Sequence, residues 1–160
     1  MPRIRNYQPS DWDAFLALEI ETGLGRLRQA PQAEKDAFVA RWPGTLKGVW
    51  GWTDAGPTKD KSQLLVLEDD GGVYAGHLWV YEELDVWSGA TRMWVMTVAV
   101  VAAYRSRGWG RLLMARAVDE ARARKLASVG LSVGADNVVA RKLYEEMGFE
   151  ATQLAMYRRL

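Results

Sequence analysis

The stretch "VAVVAAYRSRGWGRLLMARAVDEARARK", residues 98 to 125, places the firmest condition on the fold. An apolar, β-branched run breaks at Ala102-Ala103. Arg105, Ser106, Arg107, Gly108, Trp109, Gly110 and Arg111 follow. Leu113, Ala117 and Ala121 then recur at helical spacing, with Met114 and Val118 alongside. A strand therefore hands over to a long helix, from Gly108 to about Lys125, through a turn of glycines and arginines. The first N–H groups of a helix lack intrahelical acceptors and lie at the positive end of its dipole. An anion placed there satisfies both conditions. Glycine lets backbone approach a bulky phosphate with no Cβ in between. Gly108 and Gly110 thus suit a diphosphate cradle, with Arg105, Arg107 and Arg111 adding charge-assisted contacts. The competing reading is a plain glycine turn into a helix with a solvated basic face.

The charge distribution favours a local anionic partner. The whole chain carries a formal net charge of +1, yet residues 104 to 125 hold seven basic residues against Asp119 and Glu120. So small an overall charge speaks against a general nucleic-acid binder. There is no cysteine, which excludes disulfides, thiolate nucleophiles and Cys-zinc sites. A single histidine, His77, cannot build a His-rich centre, and no metal is expected. "MPRIRNYQPSDWD" lacks the apolar core of a signal peptide, and the run near Val95 to Ala103 is too short to cross a bilayer. A cytoplasmic protein without a membrane partner is expected. Its length of 160 residues suits one domain, residues 1–160, with a single full core.

Along the chain, "RIRNY" alternates as a first strand. Ser10 then stands as the N-cap of a helix carrying Trp12, Phe15, Leu16 and Ile20, which Gly23 and Gly25 should end. A second helix should run from Pro31 to about Trp42, where Pro43-Gly44 stops it, and residues 43 to 62 read as a long loop. "QLLVLE" and "VYAGHLWVYEE" form a hairpin across "DDGG". "TRMWVMTVAVV" follows as a strand buried on both faces. "LASVGLSV" is a further strand, "NVVARKLYEEM" a helix capped by Asn137 with Gly148 at its C′ position, and "FEATQLAMYRRL" one or two closing strands. This order predicts a mixed α/β sheet with helices on both faces.

Other phosphate loops fit poorly. No G-x-x-x-x-G-K-[ST] string occurs, and Gly108-x-Gly110 is followed by no glycine where a dinucleotide fingerprint needs its third. "YRSRGWGRLL" instead resembles the R/Q-x-x-G-x-G/A signature of the GNAT N-acetyltransferase superfamily. "NVVARKLYEEMGF", residues 137 to 149, is similar to that family's second motif at Asn137, Ala140, Leu143, Tyr144, Gly148 and Phe149. The two motifs lie at a spacing that fits one helix and one strand. The first half of the chain agrees in element order only. The resemblance implies the acyl-CoA N-acyltransferase fold, with a splay between the fourth and fifth strands. It also implies acetyl-coenzyme A as co-substrate and acetyl transfer to a primary amine by direct transfer in a ternary complex. The diphosphate would rest on residues 105 to 111 and the pantetheine arm on the backbone of Val98, Ala99 and Val100. The Val98 N–H would polarise the thioester carbonyl, Tyr144 would protonate the leaving thiolate, and Asn137 would touch the cofactor as well as cap its helix.

A general base is not evident. "RMWVMT" before the glycine motif has no carboxylate, which leaves Glu82, Glu83, Asp85, Glu19 and Glu21 as candidates. His77 sits in an alternating strand, where a histidine satisfied within the sheet is the ordinary outcome. Among eight tryptophans, Trp50 and Trp52 fall in the glycine-rich loop and could serve the acceptor pocket or a homodimer contact. The acceptor itself, a small molecule or a peptide, is not legible. Two rivals stand beside the enzyme: a non-catalytic acyl-CoA-binding regulatory domain, and an RNA-associated phosphate binder.

Overall fold

The computed structural model describes all 160 residues. Five strands form one sheet in chain order: β1 (Arg3–Asn6), β2 (Gln63–Glu68), β3 (Tyr74–Leu84), β4 (Thr91–Val100) and β5 (Val129–Leu131). The first four are antiparallel neighbours, and β5 joins β4 in parallel. Four helices accompany them: α1 (Trp12–Arg26), α2 (Gln32–Val49), α3 (Trp109–Ala123) and α4 (Val138–Glu146). This is the mixed sheet flanked by helices that the element order implied.

Alternation along the strands divides the apolar residues between two cores. Leu78 and Val80 of β3 face Leu113, Met114, Ala117 and Ala121 of α3. Trp79, one residue away, faces Phe15 of α1 and Leu46 of α2. Tyr7, Trp12, Trp50 and Trp52 complete this second core with edge-on and tilted ring contacts. Trp50 and Trp52 are therefore half-buried packing residues on Trp79 and Tyr7, not exposed rings awaiting a partner.

Both N-terminal helices outrun their sequence stop signals. α1 continues through Gly23 and Gly25 to Arg26 because Gly23 is where α2 leans in. A Cβ there would collide with the Phe38 ring. α2 continues through Pro43 to Val49, since the backbone bond lost at proline is offset by burial of Phe38 and Leu46 on the same helix. Ser10 does not cap α1. It lies in a 3₁₀ turn, Pro9–Asp11, and the Asp11 carboxylate takes the Gln8 N–H and both terminal nitrogens of Arg5.

Asn137 does cap α4, its side chain accepting from the Ala140 N–H at 3.2 Å, and Gly148 follows the helix at φ +86. The tail does not form the expected strands. Residues 150–160 are exposed and irregular, tied to α2 through Arg159 and Glu34. β5 pairs over only three residues, so the tail's alternation meets no long strand edge in register. No helix is long and apolar enough to cross a membrane.

Candidate active site

β4 is where the site begins. Trp79 pairs with Thr97 and Val80 with Val95, which leaves Met96 as an extra residue on β4. Such a bulge bends the strand and re-aims side chains. Met96 and Thr97 consequently both face the α1–α2 side, while Val95 and Val98 face α3. Pairing with β5 stops at the same point: Met93, Trp94 and Val95 meet Val129, Gly130 and Leu131, and nothing beyond them pairs. The strands splay from Thr97 onward.

The direction of the unpaired groups follows from the ladder. The Val101 N–H donates to the Ala75 carbonyl of β3 at 2.9 Å. Successive N–H groups alternate in a strand, so Ala99 also faces β3, and Val98 and Val100 face the splay. Arg105 Nε donates to the Val100 carbonyl at 2.9 Å on that open side.

The glycine-arginine turn sits directly above. Ser106 and Gly108 both have left-handed backbone, at φ +62 and φ +77. The alternation tilts consecutive N–H groups toward one concavity. No side chain caps α3, so the N–H groups of Trp109, Gly110 and Arg111 lack protein acceptors. The surrounding side chains brace the turn. Tyr104 and Trp109 stack with ring centroids 5.0 Å apart, the Arg107 guanidinium lies over both rings, and Tyr104 O–H donates to Asp69 at 2.7 Å. Arg107 also donates to the Ala103 carbonyl, Arg105 pairs with Glu21, and Arg111 pairs with Glu146. The three arginines thus hold exposed protein partners. Surface pairs of this kind are worth at most about 1 kcal/mol and exchange readily for a stronger anion.

Tyr144 projects from α4 toward the α3-side core, half-buried and without a hydrogen-bond partner. Burial pushes its phenol above the usual value, and the charge of nearby Arg26 partly offsets this. Gly110 and Leu143 hold α3 and α4 in contact, since a Cβ on Gly110 would lie 3.4 Å from Leu143 Cδ2. Asn137 is engaged as a cap.

On the other side of β4 lies a cavity of about 210 Å³ between α1, α2 and the bulge. Of the carboxylates considered from sequence, only Glu19 lines it. Glu82 pairs with Lys61 and Arg124, Glu83 with Arg92, and Asp85 closes the β3–β4 turn onto Ser88 and the Trp87 N–H. Glu19 is 4% exposed and its Oε1 lies 2.9 Å from His77 Nε2. His77 Nδ1 in turn lies 2.6 Å from Tyr74 Oη. Burial, and then the Glu19 charge, drive the Tyr74 phenol far above its ordinary range, so it keeps its proton. The imidazole thus bridges the Tyr74 hydroxyl and Glu19, with Nε2–H donating to the Glu19 carboxylate. Glu19 Oε2 makes no hydrogen bond within the protein. His77 is satisfied inside the sheet, as its alternating strand implied. Its link to Glu19, across 58 positions of sequence, had no local signal.

A model of the acetyltransferase (GNAT) family matches residues 26–149. Over 85 residues the chain is 29% identical to the uncharacterized N-acetyltransferase YycN of Bacillus subtilis, covering 53% of this chain and 53% of that protein. Over 91 residues it is 38% identical to mycothiol acetyltransferase of Beutenbergia cavernae, covering 56% of this chain and 29% of that one. The matches thus span about half, or less, of these curated relatives. Among solved structures, a Pyrococcus furiosus protein provisionally named an acetyl transferase superposes with TM-score 0.83 at 21% identity, over 100% of both chains. AAC(6')-Iy, solved with a bisubstrate analog, gives TM-score 0.65 at 18% identity, over 100% of this chain and 98% of that one.

Proposed function

Because this chain belongs to the GNAT acetyltransferase family, we propose that it moves an acetyl group from acetyl-coenzyme A to a primary amine, directly, with both held at once. The observation that carries this reading is the convergence of three features at one bulge: the uncapped start of α3, the Val98 and Val100 N–H groups that face the splay, and the buried Glu19 carboxylate. The N–H groups of Trp109, Gly110 and Arg111 hold the diphosphate at the positive end of α3, and the glycines keep that approach open. Arg105 and Arg111 exchange their exposed carboxylates for phosphate oxygens, and Arg107 braces the loop through Tyr104 and Trp109. When bound, acetyl-coenzyme A supplies the acetyl group as a thioester. The Val98 and Val100 backbone pairs with the pantetheine arm as a strand edge would. The Val98 N–H donates to the thioester oxygen and stabilises the negative charge that grows there.

Glu19 accepts the proton of the amine as its nitrogen forms the new C–N bond. His77 acts as a positioning residue, fixing the carboxylate through Nε2–H. Tyr144 gives its proton to the sulfur as the C–S bond breaks, and its raised pKa keeps that proton in place at neutral pH. A buried carboxylate in the cavity, Glu19, favours the enzyme over a catalytically silent coenzyme-binding domain.

Two measurements test the reading. Acetyl-coenzyme A at about a hundred times its Kd should stabilise the fold by about 2.7 kcal/mol, a rise of several degrees in Tm. Initial rates with both substrates varied should give intersecting double-reciprocal lines. No thermal shift, or parallel lines with an acetylated enzyme, would overturn it.

A further inference from the structure

Resting on the acetyl-transfer reading, we infer that the acceptor is an amine that also carries a carboxylate and an apolar body, an amino acid or short peptide rather than a polycation. The charges of the cavity beside the bulge carry the argument. Glu19 is its only carboxylate, and it shares the lining with Arg26 of α1 and Arg41 of α2. Neither arginine has a carboxylate partner anywhere in the protein, and Arg41 has only the Phe38 ring, 5.9 Å from its guanidinium carbon. Nearly every other arginine is paired or hydrogen-bonded, whereas these two are exposed cations on one cavity lining with no protein acceptor.

The arrangement is ordered along the helix. Glu19, Thr22, Gly23 and Arg26 follow at helical spacing on one face of α1, so the carboxylate and the guanidinium mark two ends of one stripe. The Glu19 end adjoins Thr97, one residue before the Val98 N–H that faces the splay. An amine anchored there, with its carboxylate on Arg26 and Arg41, presents its nitrogen to the thioester. Phe38 and Trp42, with centroids 5.3 Å apart, supply an apolar surface for the body between. A polycationic acceptor would place several ammonium groups beside two guanidiniums and a single carboxylate. Like charges this close are repulsive.

Thiol release from acetyl-coenzyme A is measured with matched acceptors: phenylalanine and its amide, alanyl-phenylalanine and its amide, phenethylamine, spermidine and kanamycin. The carboxylated member of a pair should exceed its amide in kcat/KM by about tenfold or more. The free amino acid and the dipeptide separate the two sources of such an acceptor. R26Q and R41Q should each cut the carboxylate-over-amide ratio severalfold, chiefly through KM, while the thermal shift with acetyl-coenzyme A persists. A ratio within one variant is independent of how much of it folds. Equal or better use of the amides, best use of the polycations, or an unaltered ratio in both variants would overturn the inference and leave acetyl transfer standing. No turnover of any amine would overturn the transfer reading and this inference with it.

Discussion

Glu19 is a buried carboxylate held from one side. The His77 imidazole holds one oxygen while the other remains available to the cavity. Replacing it with glutamine keeps an acceptor for His77 Nε2–H and so should preserve the fold. Glu19→Gln should lower kcat by about 10²-fold or more, in the range of lost general-base catalysis, with acetyl-coenzyme A affinity unchanged. Steady-state rates combined with a coenzyme titration check this. Tyr144 works in the opposite sense, as a donor. Because burial raises its pKa, the protonated, active form persists through pH 9. Tyr144→Phe should lower kcat at unchanged coenzyme affinity, and the ratio of wild-type to variant rates should stay flat from pH 7 to pH 9. A ratio that collapses within that range would place the acid elsewhere.

The segment from the β4 bulge to the first turn of α3 behaves as one element, since the bulge ends pairing with β5 and the turn then leaves the helix start uncapped. Gly108 is its hinge. A Cβ at this position meets nothing within 4 Å, so the cost of a side chain comes from φ +77 and not from packing in the protein. For a β-branched residue the left-handed conformation costs about 1–2 kcal/mol. Gly108→Val should therefore leave a folded protein with a modestly lower Tm while abolishing the stabilisation by acetyl-coenzyme A. Thermal melts with and without coenzyme separate the two effects, and equal loss of both would count against the cradle.

At the scale of the whole molecule, the edge strand β1 is pinned by charge. Glu68 of β2 receives Arg3 and Arg5, and Asp11 at the entry to α1 receives Arg5 and the Gln8 N–H. Hydrogen bonds from Arg3 and Arg5 hold Glu68 below the usual carboxylate range. Burial alone would raise Asp11, but the bonds from Arg5 and Gln8 outweigh it and leave it depressed as well. A depressed folded-state pKa stabilises the fold above the unfolded value, near pH 4, and that stabilisation is lost as pH falls through the folded value. Denaturant midpoints should thus be level from pH 8 to pH 5 and fall below about pH 4, and Glu68→Gln should flatten that fall.

The chain by itself determined whatever a short stretch of backbone demands: the strand boundaries of "QLLVLE", the left-handed Gly108 and Gly148, the Asn137 cap, and the two motifs that carry the family resemblance. Those features answer to local conformation and local hydrogen bonding, which residue type encodes directly. Tertiary structure alone decided the rest. It carried α1 past Gly23 and α2 past Pro43 because two helices pack closely there, and it left the tail irregular for want of a long partner edge. It also placed Glu19 against His77, and brought Arg26 and Arg41 to one cavity lining, from separate elements. Such contacts join residues through packing across the sheet, and nothing in the neighbourhood of either partner in sequence specifies the other.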